Sequence, residues 1–161
     1  MPHHQLVVLL TILAAGQGCE PRGAPPPTPL QVSVDQFHSL RWLEGRWRGS
    51  DGTTNAFFEE YRFTNDHTIS SYSFVDSTLI EIEDSATIEL SGDTVTSRGS
   101  NSAWVVTALN QSSVTFEPQL NATNKYTWAS TSDSSWTATL SWRDADGDPK
   151  QRVYQMRRLS Q

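Results

Sequence analysis

Apolar and polar residues alternate along most of the chain beyond residue 55. One face of a predicted strand is formed by residues at every second position, namely Phe57, Glu59, Tyr61 and Phe63. The same period of two recurs in later segments: Tyr72 and Phe74, Ile80 and Ile82, Ile88 and Leu90, Trp104 with Val106 and Ala108, Val114 and Phe116, Tyr126 and Trp128, and Trp136 with Ala138, Leu140 and Trp142. Turn residues such as Asp51-Gly52 separate these segments. The pattern predicts about ten short antiparallel strands joined by hairpins.

Each predicted strand has one apolar face, and that face needs a cover. Either a second sheet or closure of the same sheet into a barrel would bury it. Closure also removes the unpaired strand edges that promote aggregation. We therefore expect an all-β fold, an antiparallel up-and-down β-barrel. A short N-terminal helix, capped by Asp35 and ended by Gly45, is predicted to cover one end. Its inward-facing residues would be Phe37, Leu40 and either Trp42 or Leu43.

The N-terminal segment has the features of an export signal. Leu6 to Ala15 form an apolar run of ten residues, which is too short to cross a bilayer of about 30 Å. The run is typical of a signal peptide, which we assign to residues 1–18. The segment from Gly16 to Cys19 resembles a bacterial lipobox, and this resemblance implies that Cys19 carries a lipid after cleavage. Residues 19–31 then form the lipidated cysteine and a Pro-rich tether, and residues 32–161 form the barrel domain.

A single cysteine and a negative net charge limit the cellular locations and the classes of binding partner that we expect for the protein. One Cys cannot form an internal disulfide, which favours the lipid assignment. Glu20 resembles the sorting residue of outer-membrane lipoproteins, so the expected location is the periplasmic side of that membrane. The alternative is a soluble secreted or periplasmic protein. The net charge of −6 argues against a nucleic-acid partner. We expect a monomer that contacts the membrane through its N-terminal lipid.

A short motif before the first strand carries a resemblance to a family of barrels. Gly45-Arg46-Trp47-Arg48-Gly49 resembles the Gly-x-Trp signature of lipocalins and the wider calycin group, which includes the fatty-acid-binding barrels. A closer resemblance is to uncharacterised bacterial exported proteins with a lipocalin-like domain. It covers most of residues 39–159 and rests on residues 40–47, the Glu59-Glu60 pair and residues 149–154.

This resemblance implies how one end of the barrel is closed. In lipocalins the motif Trp plugs the closed end, and a basic residue of the last strand packs over it. Trp47 would be the plug here. The basic residue would be Arg157 or Arg158, of which we assign Arg157.

Motifs for common catalytic and metal sites are missing from the sequence. No Gly-x-Ser-x-Gly, His-Glu-x-x-His or Cys-x-x-Cys occurs. After signal cleavage only His38 and His67 remain, which is too few for a typical zinc site. The carboxylates of residues 144–148 lack the spacing of a calcium-binding EF-hand loop and predict a solvated turn. We expect neither a metal nor a cofactor.

Glu59 is the candidate with the most chemistry, because it shares its strand face with aromatic residues. If that face lines the barrel, burial would raise the pKa of Glu59. The carboxyl could then anchor the polar end of a ligand, or act as a general acid or base with Tyr61. Alternatively, Glu59 pairs with an inward arginine such as Arg157, or reaches water from the end of a strand.

Three functions remain open on the sequence. The first is an envelope-anchored protein that binds a small hydrophobic or amphipathic ligand, because ligand pockets are mostly apolar with few polar groups. Its ligand-binding residues would be Phe57, Glu59, Tyr61, Phe63, Tyr72, Trp104 and Trp128. The second is a structural or interaction lipoprotein whose barrel is filled by its own side chains. The third is a lipocalin-fold enzyme, an isomerase or hydrolase that uses Glu59.

Overall fold

The computed structural model describes residues 25–53 and 55–160. The predicted signal peptide, Cys19 and the first part of the predicted tether lie outside the described residues. Pro25 to Pro29 have no regular secondary structure. Contacts with the barrel are present from Leu30, whose backbone N donates to Val106 O at 2.9 Å.

Ten antiparallel strands form one closed barrel, which confirms the predicted fold class. They are β1 (Gly45–Ser50), β2 (Ala56–Asn65), β3 (Thr68–Phe74), β4 (Ile82–Ser91), β5 (Thr94–Arg98), β6 (Ala103–Leu109), β7 (Ser113–Leu120), β8 (Lys125–Ser132), β9 (Ser135–Arg143) and β10 (Pro149–Arg158). Each strand pairs with its neighbours in sequence, and β1 pairs with β10 to close the barrel. All strand pairings are antiparallel, so the topology is up-and-down.

Two short helices lie across one end of the barrel, which we call the closed end. They are α1 (Val34–His38) and a 3₁₀ helix (Ser39–Leu43). Ser33 caps α1, not Asp35 as expected, because Ser33 and Gln36 form a reciprocal capping box that places Asp35 inside the first turn. Leu43 rather than Trp42 is the fully buried residue of the last turn. In the described part of the chain, no helix is long and apolar enough to span a membrane.

The segment before α1 fills a gap between two strands. β5 and β6 pair through only three residue pairs, from Thr96 to Arg98 of β5. Nearer the closed end, Gln31 instead forms an isolated bridge with Thr94, and Val32 N donates to Asp93 O at 2.7 Å. Val32 is fully buried as a result. The barrel wall is therefore completed by a piece of the chain that the sequence pattern assigned to the tether and its junction.

Trp47 is buried at the closed end of the barrel. Its side chain is 1% exposed, and its indole Nε1 donates to Leu43 O at 2.7 Å. The guanidinium over its ring belongs to Arg158, at 4.2 Å from the ring centroid, and not to Arg157 as we assigned. The reason is register, because Trp47 lies opposite Arg158 and shares its face, whereas Arg157 lies opposite Arg48 on the other face.

Arg158 also binds the backbone of the closing segments. Its Nη1 donates to Glu44 O at 2.7 Å, and its Nε donates to Asp133 O at 3.1 Å. A third, longer bond joins Nη2 to Trp42 O at 3.4 Å. One side chain therefore ties the last strand to the 3₁₀ helix and to the β8–β9 turn. The other end of the barrel carries the loops β1–β2, β3–β4, β5–β6, β7–β8 and β9–β10, and we call it the open end.

Candidate functional site

The interior of the barrel holds a cavity of about 100 Å³. Gly99 and Asn124 border it, and both lie in open-end loops, so the cavity extends from the middle of the barrel towards that end. Trp136 and Met156 border it on the side of the plug. The remaining interior between these residues and Trp47 is packed with buried side chains.

The cavity exists because two arcs of the wall carry side chains of different size. Small residues face inward from β3, β4, β5 and the loop after β5, namely Ser71, Ser73, Ala86, Ser97 and Gly99. Aromatic residues face inward from β6, β8, β9 and β10, namely Trp104, Tyr126, Trp128, Trp136 and Tyr154. Small side chains cannot reach the rings across the barrel, so space is left between the two arcs.

The aromatic arc is a connected set of ring contacts. The rings of Trp128 and Trp136 lie with centroids 5.3 Å apart, and the rings of Tyr61 and Trp128 meet edge to face at 5.5 Å. Tyr126 stacks on Phe116 at 4.7 Å. Such pairs stabilise a core by about 0.5–1.5 kcal/mol each beyond the burial of their surface. The rings are therefore held in place by one another as well as by the strands.

Glu59 projects from β2 into this cavity. Its Oε2 accepts a hydrogen bond from the Tyr61 hydroxyl at 2.8 Å. Burial raises the pKa of Glu59 to about 7, and the hydrogen bond from Tyr61 offsets part of that rise. Burial, followed by the charge of Glu59, also raises the pKa of Tyr61 well above its usual value. Tyr61 thus stays protonated near neutral pH and donates to Glu59.

The neighbouring carboxyl, Glu60, faces outward and forms ion pairs with two arginines. Arg62 Nη2 lies 2.6 Å from its Oε2, and Arg46 Nε lies 3.2 Å from its Oε1. Burial alone would raise the pKa of Glu60, but the hydrogen bonds from these two arginines lower it overall. We considered Arg157 as an inward partner of Glu59, but its side chain is exposed on the outer face. The basic partners lie instead on the outer face around Glu60, Arg62 on β2 itself and Arg46 on the neighbouring β1.

The structure brings five of the seven expected ligand-binding residues to the cavity, namely Phe57, Glu59, Tyr61, Trp104 and Trp128. Phe63 does not border it. This side chain lies at the closed end, where its ring meets Phe37 at 5.7 Å and the Arg41 guanidinium at 4.4 Å. β2 simply extends beyond the cavity on that side.

Tyr72 also lies elsewhere, on the outer face of the barrel. Its Cα partner in β2 is the outward-facing Glu60, and the Arg62 guanidinium is 5.7 Å from its ring. Tyr72 and Phe74 share this outer face, because Phe74 is the Cα partner of Phe58, two positions before Glu60. Ser71 and Ser73, at the alternate positions of β3, face the cavity, so simple alternation grouped the right residues but placed their face on the wrong side of the barrel wall.

Several cavity residues were missed by the sequence pattern. Ser71, Ser73 and Ser97 are small and polar, and such residues in a strand are read as solvent-facing. Tyr126 and Tyr154 were assigned to strands but not to the site. For Ser71 and Ser73 a signal was the parity of the buried Ile69 on the same strand, and for Ser97 it was the parity of the buried Val95, two positions before it.

The arrangement can exchange a proton near neutral pH, because the pKa of Glu59 lies close to 7. It does not suggest a metal site, since no group of three or more His, Cys, Asp or Glu in the described ranges could hold a metal ion.

The acidic β9–β10 turn is held by its own hydrogen bonds and by an ion pair. Asp144 Oδ1 accepts from the backbone N of Asp146 and of Asp148, at 3.1 and 2.9 Å, and its Oδ2 lies 3.0 Å from Lys150 Nζ.

Comparisons with known proteins assign neither a family nor a function to the chain. No protein-family model matches the chain. No curated protein matches it either. One solved structure to which the chain is similar is a redesigned β-barrel, with 11% sequence identity and a TM-score of 0.37, over 76% of this chain and 96% of that one. The function must therefore be argued from the cavity itself.

Proposed function

We propose that this protein is a lipocalin-like barrel that binds a small amphipathic molecule in its interior. The observation that carries the proposal is a cavity walled by aromatic rings with one carboxyl and a few hydroxyls directed into it. Pockets for small molecules are mostly apolar and use few polar groups to orient the ligand. The Gly-x-Trp motif and the arginine over Trp47 support the lipocalin-like assignment.

The size of the cavity restricts the ligand. About 100 Å³ is available, whereas an engineered apolar cavity of about 150 Å³ holds benzene. The ligand that fits without rearrangement has about five heavy atoms, or inserts only one end of a longer molecule. A full fatty-acid chain would need the aromatic arc to move, so short amphipathic molecules are the better candidates.

A matched pair of substitutions tests the binding proposal. Ser71 and Ser70 are adjacent on β3, and Ser71 lines the cavity whereas Ser70 lies at an outer groove. Ser71→Val adds bulk inside the cavity, and Ser70→Val adds the same bulk outside. The Trp104 indole NH resonance would be followed by NMR during titration with 1-butanol. We expect saturable shifts in the wild type and in Ser70→Val, and a loss of at least about tenfold in affinity in Ser71→Val.

Two outcomes would contradict the proposal. Absence of any saturable shift with 1-butanol or other short alcohols would favour the filled structural barrel instead. Equal affinity of the two variants would place the binding outside the cavity.

A second function, general acid–base catalysis, is favoured by one observation. The Tyr61 hydroxyl and Glu59 converge at 2.8 Å, and the pKa of Glu59 is about 7, which suits proton transfer at neutral pH. An isomerase or hydrolase of a small apolar substrate would use Glu59 as the base. An activity that persists in Glu59→Gln would exclude this role, whereas one that falls with the ionised fraction of Glu59 would support it.

We also propose that the protein is anchored in the bacterial envelope through Cys19. The support comes from the apolar run at Leu6 to Ala15 and the lipobox-like segment before Cys19. Labelling of the full chain with radioactive palmitate in a bacterial host tests it. We expect label in the wild type and none in Cys19→Ala, and a wild type without label would exclude the anchor.

A further inference from the structure

We propose that the cavity selects a small organic ammonium ion, which pairs with Glu59 and lies against the aromatic rings. This inference rests on the proposed binding function and names the chemical class of the ligand. It starts from an imbalance of charge inside the barrel. An acidic side chain is directed into the cavity, and the wall provides it with hydrogen bonding but with no positive charge.

The titratable side chains that face Glu59 come from three strands. Tyr61 of β2 donates to it, and Tyr126 of β8 and Tyr154 of β10 complete the titratable lining of the cavity. Among the residues described, no Lys, Arg or His lines the cavity. Arg152, two positions before Tyr154 on β10, interacts with the Tyr154 hydroxyl and with Asp51 at the open end but is not part of the lining. A buried carboxylate is stable only when a counter-charge or several hydrogen bonds compensate for lost hydration. A bound cation would supply what the protein does not.

One carboxyl oxygen is available for that cation. Oε2 of Glu59 accepts from Tyr61, whereas Oε1 has no hydrogen-bond donor among the residues described. An ammonium N–H could therefore donate to Oε1 without displacing Tyr61. Hydrogen bonds between ionised partners are roughly twice as strong as neutral ones. The geometry thus distinguishes a donor cation from an alcohol, which can offer only one neutral donor.

The aromatic arc provides the second part of the recognition. Tyr61, Trp104 and Trp128 all border the cavity, and the ring of Trp128 lies 5.5 Å from that of Tyr61. The faces of Trp and Tyr rings attract organic cations, and this attraction is strongest where water is excluded. The same ring faces repel anions. Alkyl groups of the ligand would pack on these rings while its nitrogen binds Glu59.

The charges at the open end agree with a cationic ligand. The β3–β4 loop and the start of β4 carry exposed acidic side chains, namely Asp76, Glu81 and Glu83. Three basic side chains at the same end are paired with acids, Lys125 with Glu117, Lys150 with Asp144, and Arg152 with Asp51. Arg98 and Arg143 at this end form no ion pair with the residues described, and the acidic side chains outnumber the basic ones. A negative rim raises the local concentration of cations and speeds their entry.

A series of ligands with nearly equal shape tests the inference. The probes are n-butylamine, 1-butanol and sodium butyrate, titrated separately into the full chain at about pH 7.5 and followed by the Trp104 indole resonance. A primary alkylamine resembles the lysine side chain, with a pKa of about 10.4, and is cationic at this pH. We expect butylammonium to bind at least about tenfold more tightly than 1-butanol, and butyrate to bind more weakly than either.

Glu59→Gln and Glu60→Gln separate the interior charge from the exterior one. In Glu59→Gln the ratio of the two dissociation constants, for 1-butanol and butylammonium, is expected to fall to about 1, because the amide has no charge. Glu60→Gln is expected to keep the wild-type ratio, since Glu60 binds Arg46 and Arg62 on the outer face. A preference for butylammonium that survives Glu59→Gln would overturn the assignment.

The dependence on pH gives a further criterion. Butylammonium affinity should rise with pH below the pKa of Glu59, by up to about tenfold per pH unit, and level off above it, because the carboxylate binds the cation more tightly than the neutral carboxyl does. Equal binding of butylammonium and 1-butanol at all pH values would overturn the cation inference and leave the proposed binding function standing. Failure of both probes to bind would overturn both. If 1-butanol bound more tightly than butylammonium, and did so only at low pH, the cation inference would be overturned, because the neutral carboxyl would then donate a hydrogen bond to a neutral acceptor.

Discussion

The ring of Phe57 occupies the space that a side chain at Gly49 would need. The two residues are Cα partners across β1 and β2, and a Cβ built on Gly49 would overlap the Phe57 ring. The ring cannot easily withdraw, because its other side meets Tyr154 edge to face at 5.3 Å. The second glycine of the Gly-x-Trp-x-Gly segment is thus explained by packing, not by backbone conformation.

We predict that Gly49→Ala lowers the free energy of unfolding by about 1–3 kcal/mol, because it overpacks the interior. Chemical denaturation of the variant and the wild type measures the difference. Repeating the substitution in a Phe57→Ala background provides the control, since the overlapping ring is then gone. Equal costs in the two backgrounds would contradict the packing explanation.

Arg158 and Arg157 should differ sharply in their contributions to stability. Arg158→Met removes the cation from the Trp47 ring and the donors from three backbone carbonyls, and we expect a cost of about 2 kcal/mol. Arg157→Met changes an exposed side chain and should stay within about 0.5 kcal/mol. Thermal denaturation of both variants checks this. Similar losses would mean that the stacking on Trp47 contributes little.

Trp47 and Trp136 are equally buried, at 1% exposure, but differ in their polar atoms. Trp47 Nε1 donates to Leu43 O at 2.7 Å, whereas Trp136 Nε1 has no partner among the described residues. Trp→Phe at position 47 deprives the Leu43 carbonyl of its donor, whereas the same change at position 136 removes an unpaired group. We expect the cost at position 47 to exceed that at position 136 by about 1–2 kcal/mol in urea denaturation. The reverse order would show that the N–H of Trp136 is satisfied in solution.

Glu59 should make the protein less stable as pH rises. Its pKa is about 7 in the folded chain and 4.5 ordinarily, so between these values the unfolded chain releases a proton that the folded chain retains. The free energy of unfolding then falls by on the order of 3 kcal/mol across this window and is constant above it. Glu59→Gln should remove the fall, as measured by urea denaturation at closely spaced pH values.

Glu60→Gln is the matched control with the opposite sign. The pKa of Glu60 is lowered, so its contribution is present above pH 4.5 and is lost as pH falls through its folded pKa. Its replacement should destabilise the protein at neutral pH and leave the fall between pH 4.5 and 7 in place. If the fall in stability were absent in Glu60→Gln and present in Glu59→Gln, our assignment of the raised pKa to Glu59 would be wrong.

Much of the site could be predicted from β2 and β8, and little from β3. In β2 and β8 the large side chains are also the inward ones, namely Phe57, Tyr61 and Trp128. In β3 the small side chain of Ser71 faces the cavity and the large side chain of Tyr72 faces out. Locally, only the parity of the buried Ile69 indicates that reversal, and the larger side chains of β3 point to the opposite face.

Ile80 and Ile82 illustrate a second limit. Their spacing predicted a strand face, but Ile80 is 83% exposed in the β3–β4 loop, and Ile82 is 54% exposed where β4 begins. Near the open end no opposing layer covers these positions, so an apolar residue gains no burial there. Alternation predicts a face only where a neighbour exists to cover it.

Taken alone, the order of polar and apolar residues predicted about ten antiparallel strands with one apolar face each, because residues at every second position lie on the same side of a strand. A second sheet or closure into a barrel could both cover that face, so the pattern by itself did not determine the closure. Tertiary structure decided the rest. It set the register that puts Arg158 over Trp47, the inward placement of the serine face of β3 that leaves Tyr72 outside, and the facing of small residues by large ones that leaves a cavity beside Glu59. These depend on contacts between residues far apart in the chain, and a local pattern carries no information about which of them will meet.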